Sequence, residues 1–178
     1  VQTCALPISP LALSPEQWKT VEAITGRIIP KDDDPGAIEA GCVNFIDKAL
    51  AHEDSGLRGQ YEVGLAGVDA VARRRFEKRF AELEAPQQDE LLAALEDGRA
   101  DGWPEGEVRS EQFFETVRVH TIQGFLADPR YGGNRDYVGW KLLSYPGPRH
   151  HAGGYTPQQM LGEARIEAIW DRKAKPPA

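Results

Sequence analysis

The stretch DPRYGGNRDYVGWK, Asp128–Lys141, separates a helical part of the chain from a part without helical spacing. It combines two adjacent glycines with two arginines, two tyrosines and a tryptophan, and its apolar residues recur at no fixed interval. Glycine and asparagine favour turns because they tolerate positive φ angles. Arginine and aromatic side chains dominate the energetic centres of protein interfaces. We therefore expect the stretch either to cover the chain's own core or to grip another molecule.

Five segments before this stretch have apolar residues at the three- and four-residue spacing of amphipathic helices. The first has a strong start at Ser14, followed by Pro15 and by Gln17 three residues after the cap, and Pro30 ends it. The others are predicted to run from Pro35 to Ala51, from Ser55 onward, from Pro86 to Gly98, and from a Ser110 cap to Asp128. For the second helix we expect an aspartate cap from the Asp32–Asp34 run, with these residues facing inward: Ile38, Cys42, Phe45, Ile46 and Leu50.

Residues after Pro129 change in character. From Tyr131 to Tyr155 glycine, proline and aromatic residues dominate, and only one weak helix, Pro157–Asp171, is predicted further on. No convincing alternation of apolar and polar residues predicts a strand. The sequence thus predicts an all-α fold: a compact bundle of about five helices followed by a long irregular C-terminal arm rich in aromatic residues, glycine and proline.

Composition limits the classes of function. The chain has 178 residues, a formal charge of -7 and a pI of about 5.2, which fits one acidic domain and argues against a nucleic-acid partner. A basic run is best interpreted as a solvated helix face: Arg73, Arg74, Arg75, Lys78 and Arg79. No apolar run is long enough to cross a bilayer.

The first nine residues, VQTCALPIS, resemble the translation of a common sequencing adapter. We expect residues 1–9 to be an artefact joined to the coding sequence. We also expect the native start, with any export signal, to be missing. Cys42 would then be the one genuine thiol, and its apolar surroundings favour a buried small residue over a nucleophile.

Motifs for catalysis and for cofactors do not emerge from the sequence. It has no GxSxG elbow, no HExxH or paired CxxC, and no phosphate-binding glycine loop. His120 is expected to be a partly buried histidine with a satisfied ring, and the His150–His151 pair a solvated doublet. No catalytic, cofactor-binding or metal-binding residue is predicted.

Partner binding is the remaining role for the aromatic arm. The candidate partner-binding residues are Arg130, Tyr131, Asn134, Arg135, Tyr137, Trp140 and Tyr145. Composition does not separate this interpretation from one in which the arm caps the helical body and Trp140 belongs to the core.

The extended string GFLADPRYGGNRDYVGWKLLSYPG, Gly124–Gly147, resembles the signature of the gluconate 2-dehydrogenase subunit 3 family. LSPEQWKTVEAITGRIIPKDDDPGAIEAGCVNFIDKAL, residues 13–50, and FAELEAPQQDELLAALEDG, residues 80–98, resemble its earlier helices. We therefore divide the chain into a family-like helical domain over residues 10–147 and an irregular tail with a short helix over residues 148–178.

This resemblance implies a non-catalytic small, or gamma, subunit of a bacterial membrane-bound sugar or sugar-acid dehydrogenase. The implied partner is an FAD-dependent large subunit of the glucose–methanol–choline type, often with a multihaem cytochrome c subunit. FAD would belong to the large subunit, and this chain would hold no cofactor. The small subunit would support maturation and twin-arginine export of the flavoprotein, giving a periplasmic location at the inner membrane.

Two other classes of function stay open at this point. The chain could contribute residues to the partner's active site, which would need a pocket converging on His120 or on the His150–His151 pair. Alternatively, it could be a stand-alone helical adaptor or ligand-binding protein, which would be a stable monomer without a dehydrogenase partner.

Overall fold

Five long helices make up the body of the chain in the computed structural model, which describes residues 10–148 and 154–168. They are α1 Pro15–Ile28, α3 Cys42–Ala51, α4 Arg58–Phe76, α5 Ala85–Glu96 and α6 Ser110–Leu126. Three short helices complete the set: α2 Ala37–Ala40, α7 Val138–Leu142 and α8 Pro157–Met160. Neither described range contains a β-strand. The predicted all-α class and the number of long helices are confirmed.

Helix α1 begins as the sequence predicts. The Ser14 hydroxyl accepts a hydrogen bond from the Gln17 backbone N–H at 3.2 Å, and the Gln17 side chain accepts one from the Ser14 backbone N–H at 2.8 Å. This reciprocal pair satisfies two backbone donors that a helix start leaves without partners. The helix ends at Ile28, two residues before Pro30.

One buried carboxylate fastens the segment before α1 to α3. Asp47 accepts hydrogen bonds from the backbone N–H groups of Leu11, Ala12 and Leu13 at 2.7–2.9 Å. Its side chain lies on the core-facing side of α3 and is almost fully buried. Three charge-assisted bonds compensate the burial of this charge and fix how the chain enters the bundle.

The predicted single helix from Pro35 to Ala51 is wrong, because Gly41 breaks it. Gly41 adopts a left-handed conformation with φ 72°, which ends α2 and redirects the chain into α3. Ile38, predicted to face inward, is 50% exposed on α2. The predicted aspartate cap is also absent from this start: the Glu39 side chain instead accepts a hydrogen bond from the Gly36 N–H at 3.0 Å.

Helix α6 occupies the centre of the bundle and contacts α1, α2, α3, α4, α5 and α7. Its inward residues Phe113, Val117 and Thr121 are buried, as predicted. Gly64 of α4 permits a close approach, since a Cβ atom there would lie 2.1 Å from the Phe113 ring. The core around α6 is built from residues of every long helix, among them Val21, Ile46, Tyr61, Leu91 and Phe113.

Ser110 does not cap α6 as predicted. It is the first residue of the helix, Arg109 occupies the cap position, and the Ser110 hydroxyl donates to the Leu95 carbonyl oxygen at 3.2 Å. The hydroxyl therefore satisfies the carboxyl end of α5 instead of the amino end of α6.

The basic run forms ion pairs on the solvent-facing side of the bundle. Arg73 pairs with Asp69, Arg74 with Asp101, Arg75 with Glu90, and Arg79 with Glu16. The four arginine side chains are between 38% and 64% exposed, which agrees with the solvated helix face that the sequence favours.

Residues after α6 form two short 3-10 turns, Pro129–Tyr131 and Arg135–Tyr137, and then α7. The described part of the tail returns to this region, because the Glu167 N–H donates to the Pro146 carbonyl oxygen at 3.1 Å. The predicted helix Pro157–Asp171 is much shorter: α8 ends at Met160, Gly162 turns at φ 71°, and Asp171 lies outside the described residues. No helix within residues 10–148 and 154–168 has the length and apolar character needed to span a bilayer.

Replacing Asp47 with asparagine should destabilise the bundle. The neutral amide would offer one acceptor and would turn its own N–H groups toward backbone donors, so we expect the free energy of unfolding to fall by about 2–4 kcal/mol. Urea denaturation followed by circular dichroism at 222 nm would measure it. Asp33→Asn in the exposed loop is the matched control and should change stability by less than about 0.5 kcal/mol. Equal stability of the two variants would contradict a structural role for the Asp47 carboxylate.

Candidate functional site

The signature stretch forms the cap of helix α6. The last carbonyl groups of a helix have no partners within the helix. Here the Trp140 indole N–H donates to the Leu126 carbonyl oxygen at 2.6 Å, and the Asn134 amide donates to the Ala127 carbonyl oxygen at 2.8 Å. The Asn134 side-chain oxygen accepts from the Gly139 N–H at 2.9 Å, which ties α7 to the same point.

Two glycines of the stretch are required by close packing against the backbone of α6. A Cβ atom at Gly133 would lie 2.0 Å from the Gly124 carbonyl oxygen, and one at Gly139 would lie 2.1 Å from the Phe125 carbonyl oxygen. No side chain fits at either contact without moving the backbone. The glycines therefore serve the chain's own packing.

Three non-glycine residues of the stretch are held in the left-handed region. Their φ angles are 45° at Asn134, 54° at Asp136 and 59° at Tyr137. Such a conformation costs on the order of 1 kcal/mol for each residue. It persists where surrounding contacts determine the backbone, and the hydrogen bonds of Asn134 and Trp140 provide those contacts here.

Aromatic rings cover the cap from outside. The Trp140 ring is stacked on Tyr137 with 5.4 Å between centroids, and Tyr145 meets it edge-on at 5.1 Å. Burial raises the pKa of the Tyr145 phenol to about 12, and its hydrogen bond with Tyr155 acts in the same direction. Tyr145 is therefore neutral throughout the physiological pH range.

The structure divides the seven candidate partner-binding residues by position. Asn134 and Trp140 are buried within this chain and hold the stretch in place. Arg135, Tyr137 and Tyr145 are half-buried. Arg130 and Tyr131 are exposed, and the Arg130 guanidinium lies over the Tyr131 ring, 5.6 Å from its centroid. Direct partner contact by any of the seven stays a prediction.

Tyr131 and Arg130 form one end of a groove of about 920 Å³ between α3 and α6, which we call the α3–α6 groove. Its apolar surface comes from both helices and from the segments that flank them: Leu11, Phe45, Ala49, Ile122, Leu126 and Tyr131. Four of these side chains are exposed large apolar groups, with exposed fractions of 55% for Leu11, 47% for Tyr131, 40% for Ile122 and 37% for Leu126. Their grouping in one groove makes it a candidate interaction site.

The groove carries opposite charges at its two ends. At one end lie Lys48 and Arg130, near the point where Gly132 packs against Lys48. At the other end lie Glu53 and Asp54, in the turn that follows α3. The groove is therefore polar at both ends and apolar between them.

Ile122 and Leu126 were missed as site residues at the level of sequence. They lie on α6 beside the buried Thr121 and Phe125, and with Val119 they form a second apolar stripe at helical spacing. That stripe is the sequence signal that could have identified Ile122 and Leu126 as site residues. One apolar stripe of a helix packs against the core, so a second stripe indicates another contact surface.

His120 is buried between α4 and α6. Its Nδ1 atom lies 2.8 Å from the Tyr61 hydroxyl, and its Nε2 atom lies 3.6 Å from an Asp54 carboxylate oxygen. Burial lowers the pKa of His120, and the nearby Asp54 charge opposes that effect only in part. The satisfied histidine that the sequence predicts is confirmed, whereas the His150–His151 pair lies outside the described residues.

Nucleophiles and metal ligands are not assembled in the described part of the chain. The Cys42 thiol is buried, and burial raises its pKa to about 12, so it stays protonated. Within residues 10–148 and 154–168 no three histidine, cysteine, aspartate or glutamate side chains converge as metal ligands would. The α3–α6 groove, with its exposed apolar lining, is a candidate site for a partner.

Replacing Asn134 with alanine should destabilise the α6 cap. The change removes two hydrogen bonds and leaves the partly buried Ala127 carbonyl and the buried Gly139 N–H without partners, so we expect a loss of about 2–4 kcal/mol in the free energy of unfolding. Asp136→Ala is the matched control, because Asp136 is exposed and has a similar φ angle. It should cost less than about 1 kcal/mol. Denaturant titration of both variants measures the difference, and equal losses would mean that the Asn134 amide contributes nothing beyond its backbone conformation.

His120 should make the stability of the bundle depend on pH. Its folded-state pKa lies below the ordinary value of about 6.5, so the folded chain binds fewer protons than the unfolded chain just below that pH. The contribution of the neutral, buried His120 ring to the stability of the fold is fully present above about pH 6.5. It is lost as the pH falls through the folded-state pKa of His120. We expect His120→Gln to flatten the slope of unfolding free energy between about pH 7 and pH 5. An unchanged slope in the variant would overturn this assignment.

Comparison with protein families finds one matching model, described as gluconate 2-dehydrogenase subunit 3, over residues 15–147. This range includes all five long helices and the complete α6 cap. Comparisons with curated proteins and with solved structures give no match.

Proposed function

Because the chain belongs to the gluconate 2-dehydrogenase subunit 3 family, we propose that it is the accessory small subunit of an FAD-dependent sugar or sugar-acid dehydrogenase complex. The observation that carries this proposal is the family match over residues 15–147, which confirms the resemblance seen in the sequence. The family is that of a dehydrogenase subunit, so the chain acts as part of a complex.

The proposed partner is a flavoprotein of the glucose–methanol–choline type, with a multihaem cytochrome c as a further subunit. The chain itself does no chemistry in this proposal: it binds the folded flavoprotein, supports its maturation and accompanies it through twin-arginine export. The complex then works on the periplasmic side of the inner membrane. The acidic helical bundle and the exposed apolar groove support a binding role of this kind.

FAD is assigned to the partner in this proposal. This assignment rests on what the family resemblance implies about the large subunit.

Stabilisation by binding gives the proposed mechanism. A partner that binds only the folded flavoprotein stabilises it by about 2.7 kcal/mol when its free concentration is 100 times the Kd. That shift lowers the unfolded fraction about 100-fold. A flavoprotein that must acquire its cofactor and remain folded during export would benefit directly.

Co-expression tests the proposed function. The candidate flavoprotein partner is produced with and without this chain, and soluble flavin-loaded protein is measured by absorbance near 450 nm. Sugar oxidation with a dye acceptor gives the active fraction, and periplasmic fractionation gives export. We expect several-fold more soluble, active and exported flavoprotein when the chain is present, by the mass-action argument above. Equal yields with and without the chain, together with failure of the two to co-purify, would contradict the proposal.

A further inference from the structure

The α3–α6 groove has the length of a short helix. Helices α3 and α6 meet at one end where Gly124 packs against Phe45, and at the other end His120 lies beside Asp54. Along α3, the distance from Phe45 to Ala51 is about 9 Å at 1.5 Å per residue, and the turn with Glu53 extends the groove further. A helix of two turns has about the same length.

The apolar floor of the groove matches one face of such a helix. Ile122 and Leu126 are one turn apart on α6, and Phe45 and Ala49 are one turn apart on α3. An amphipathic helix lays apolar residues at i, i+3 or i+4, and i+7 into a groove of this form. Tyr131 closes the end beyond Leu126 and offers a large ring with a polar hydroxyl.

The charges at the groove ends set a direction for the bound helix. A helix is partly positive at its amino end and partly negative at its carboxyl end. Glu53 and Asp54 therefore favour the amino end, while Lys48 and Arg130 favour the carboxyl end. Because α3 runs from Phe45 toward Glu53, the bound helix would run antiparallel to α3.

A second copy of the same chain fits the groove less well. A symmetric dimer would place identical patches against each other. Two concave grooves that face each other would leave the apolar floor of each groove without a convex element packed against it. A convex helix from a different protein fills the groove.

We propose that the α3–α6 groove binds one amphipathic two-turn helix of the flavoprotein, antiparallel to α3, with its apolar face on Phe45, Ile122 and Leu126. This inference rests on the proposed function and adds to it the contact surface, the form of the partner element and its direction.

Photo-crosslinking within the co-expressed complex tests the inference. p-Benzoylphenylalanine replaces Ile122 in the groove or, as the matched control, Val63, an apolar residue of α4 that is 47% exposed and lies outside the groove. We expect crosslinks from position 122 to one flavoprotein segment with helical apolar spacing, and none to that segment from position 63. Crosslinks from position 122 to a second copy of this chain, or to this chain's own residues before Leu11, would overturn the inference.

Affinity measurements separate this inference from the proposed function. We expect Ile122→Asp to weaken flavoprotein binding by about 30-fold or more, as at an interface hot spot, and Val63→Asp to change it by less than about 3-fold. Ile122→Ala checks that the loss does not come from misfolding and should weaken binding by about 5-fold or more, with unchanged circular dichroism. If the unmodified chain binds the flavoprotein and the Ile122 variants bind equally well, the inference fails alone. If the unmodified chain does not bind, the proposed function fails.

The direction of the helix has its own readout. Glu53→Lys should weaken binding at low ionic strength, and the difference from the unmodified chain should shrink as salt is added, because exposed charges are screened. Crosslinking gives the same information when p-benzoylphenylalanine is placed at position 122 or at position 131. Position 122 should crosslink to an earlier turn of the partner helix than position 131 does. A reversed order of these crosslinks would overturn the proposed direction.

Discussion

The last carbonyl groups of α6 impose the constraint on which the rest of the structure depends. Helix α6 contacts all four other long helices, and the Leu126 and Ala127 carbonyl oxygens at its partly buried end need donors from outside the helix. Trp140 and Asn134 supply the missing donors. To bring them there, the backbone approaches α6 closely at Gly133 and Gly139 and adopts left-handed conformations at Asn134, Asp136 and Tyr137. The unusual composition of this stretch follows from these requirements.

The α6 cap also determines which side chains of this stretch are exposed at the protein surface. Its inner side is occupied by Asn134 and Trp140, and its outer side presents Arg130 and Tyr131 at one end of the α3–α6 groove. In our proposal, one part of the stretch covers the chain's own core and another part faces the partner. The buried residues fix the backbone, and a fixed backbone lowers the ordering cost that a flexible binding loop would carry on association. In the proposed complex, this stretch supports partner binding through its structural role.

Local signals predict much of the fold but not the site. The start of α1 was predictable because Ser14, Pro15 and Gln17 lie next to one another in sequence and act through short-range hydrogen bonds. The break at Gly41 was missed because Ile38 and Cys42 fit helical spacing across it, although a glycine in the left-handed conformation commonly ends a helix. Asp47 likewise reads as a polar residue in a helix, whereas its three partners lie 34–36 residues earlier. The groove joins α3 to α6, whose residues are distant in sequence, so the apolar stripe of Ile122 and Leu126 gains its meaning only from packing.

Hydrogen exchange of the chain alone and in complex with the flavoprotein tests the central claim most directly. The claim is that residues 134–140 are already ordered in the free chain, while the groove becomes covered on binding. We expect the amides of residues 134–140 to exchange slowly in both states, and those of residues 45–54 and 119–131 to gain protection only in the complex. Fast exchange at 134–140 in the free chain, with protection gained there and not along the groove, would contradict the account.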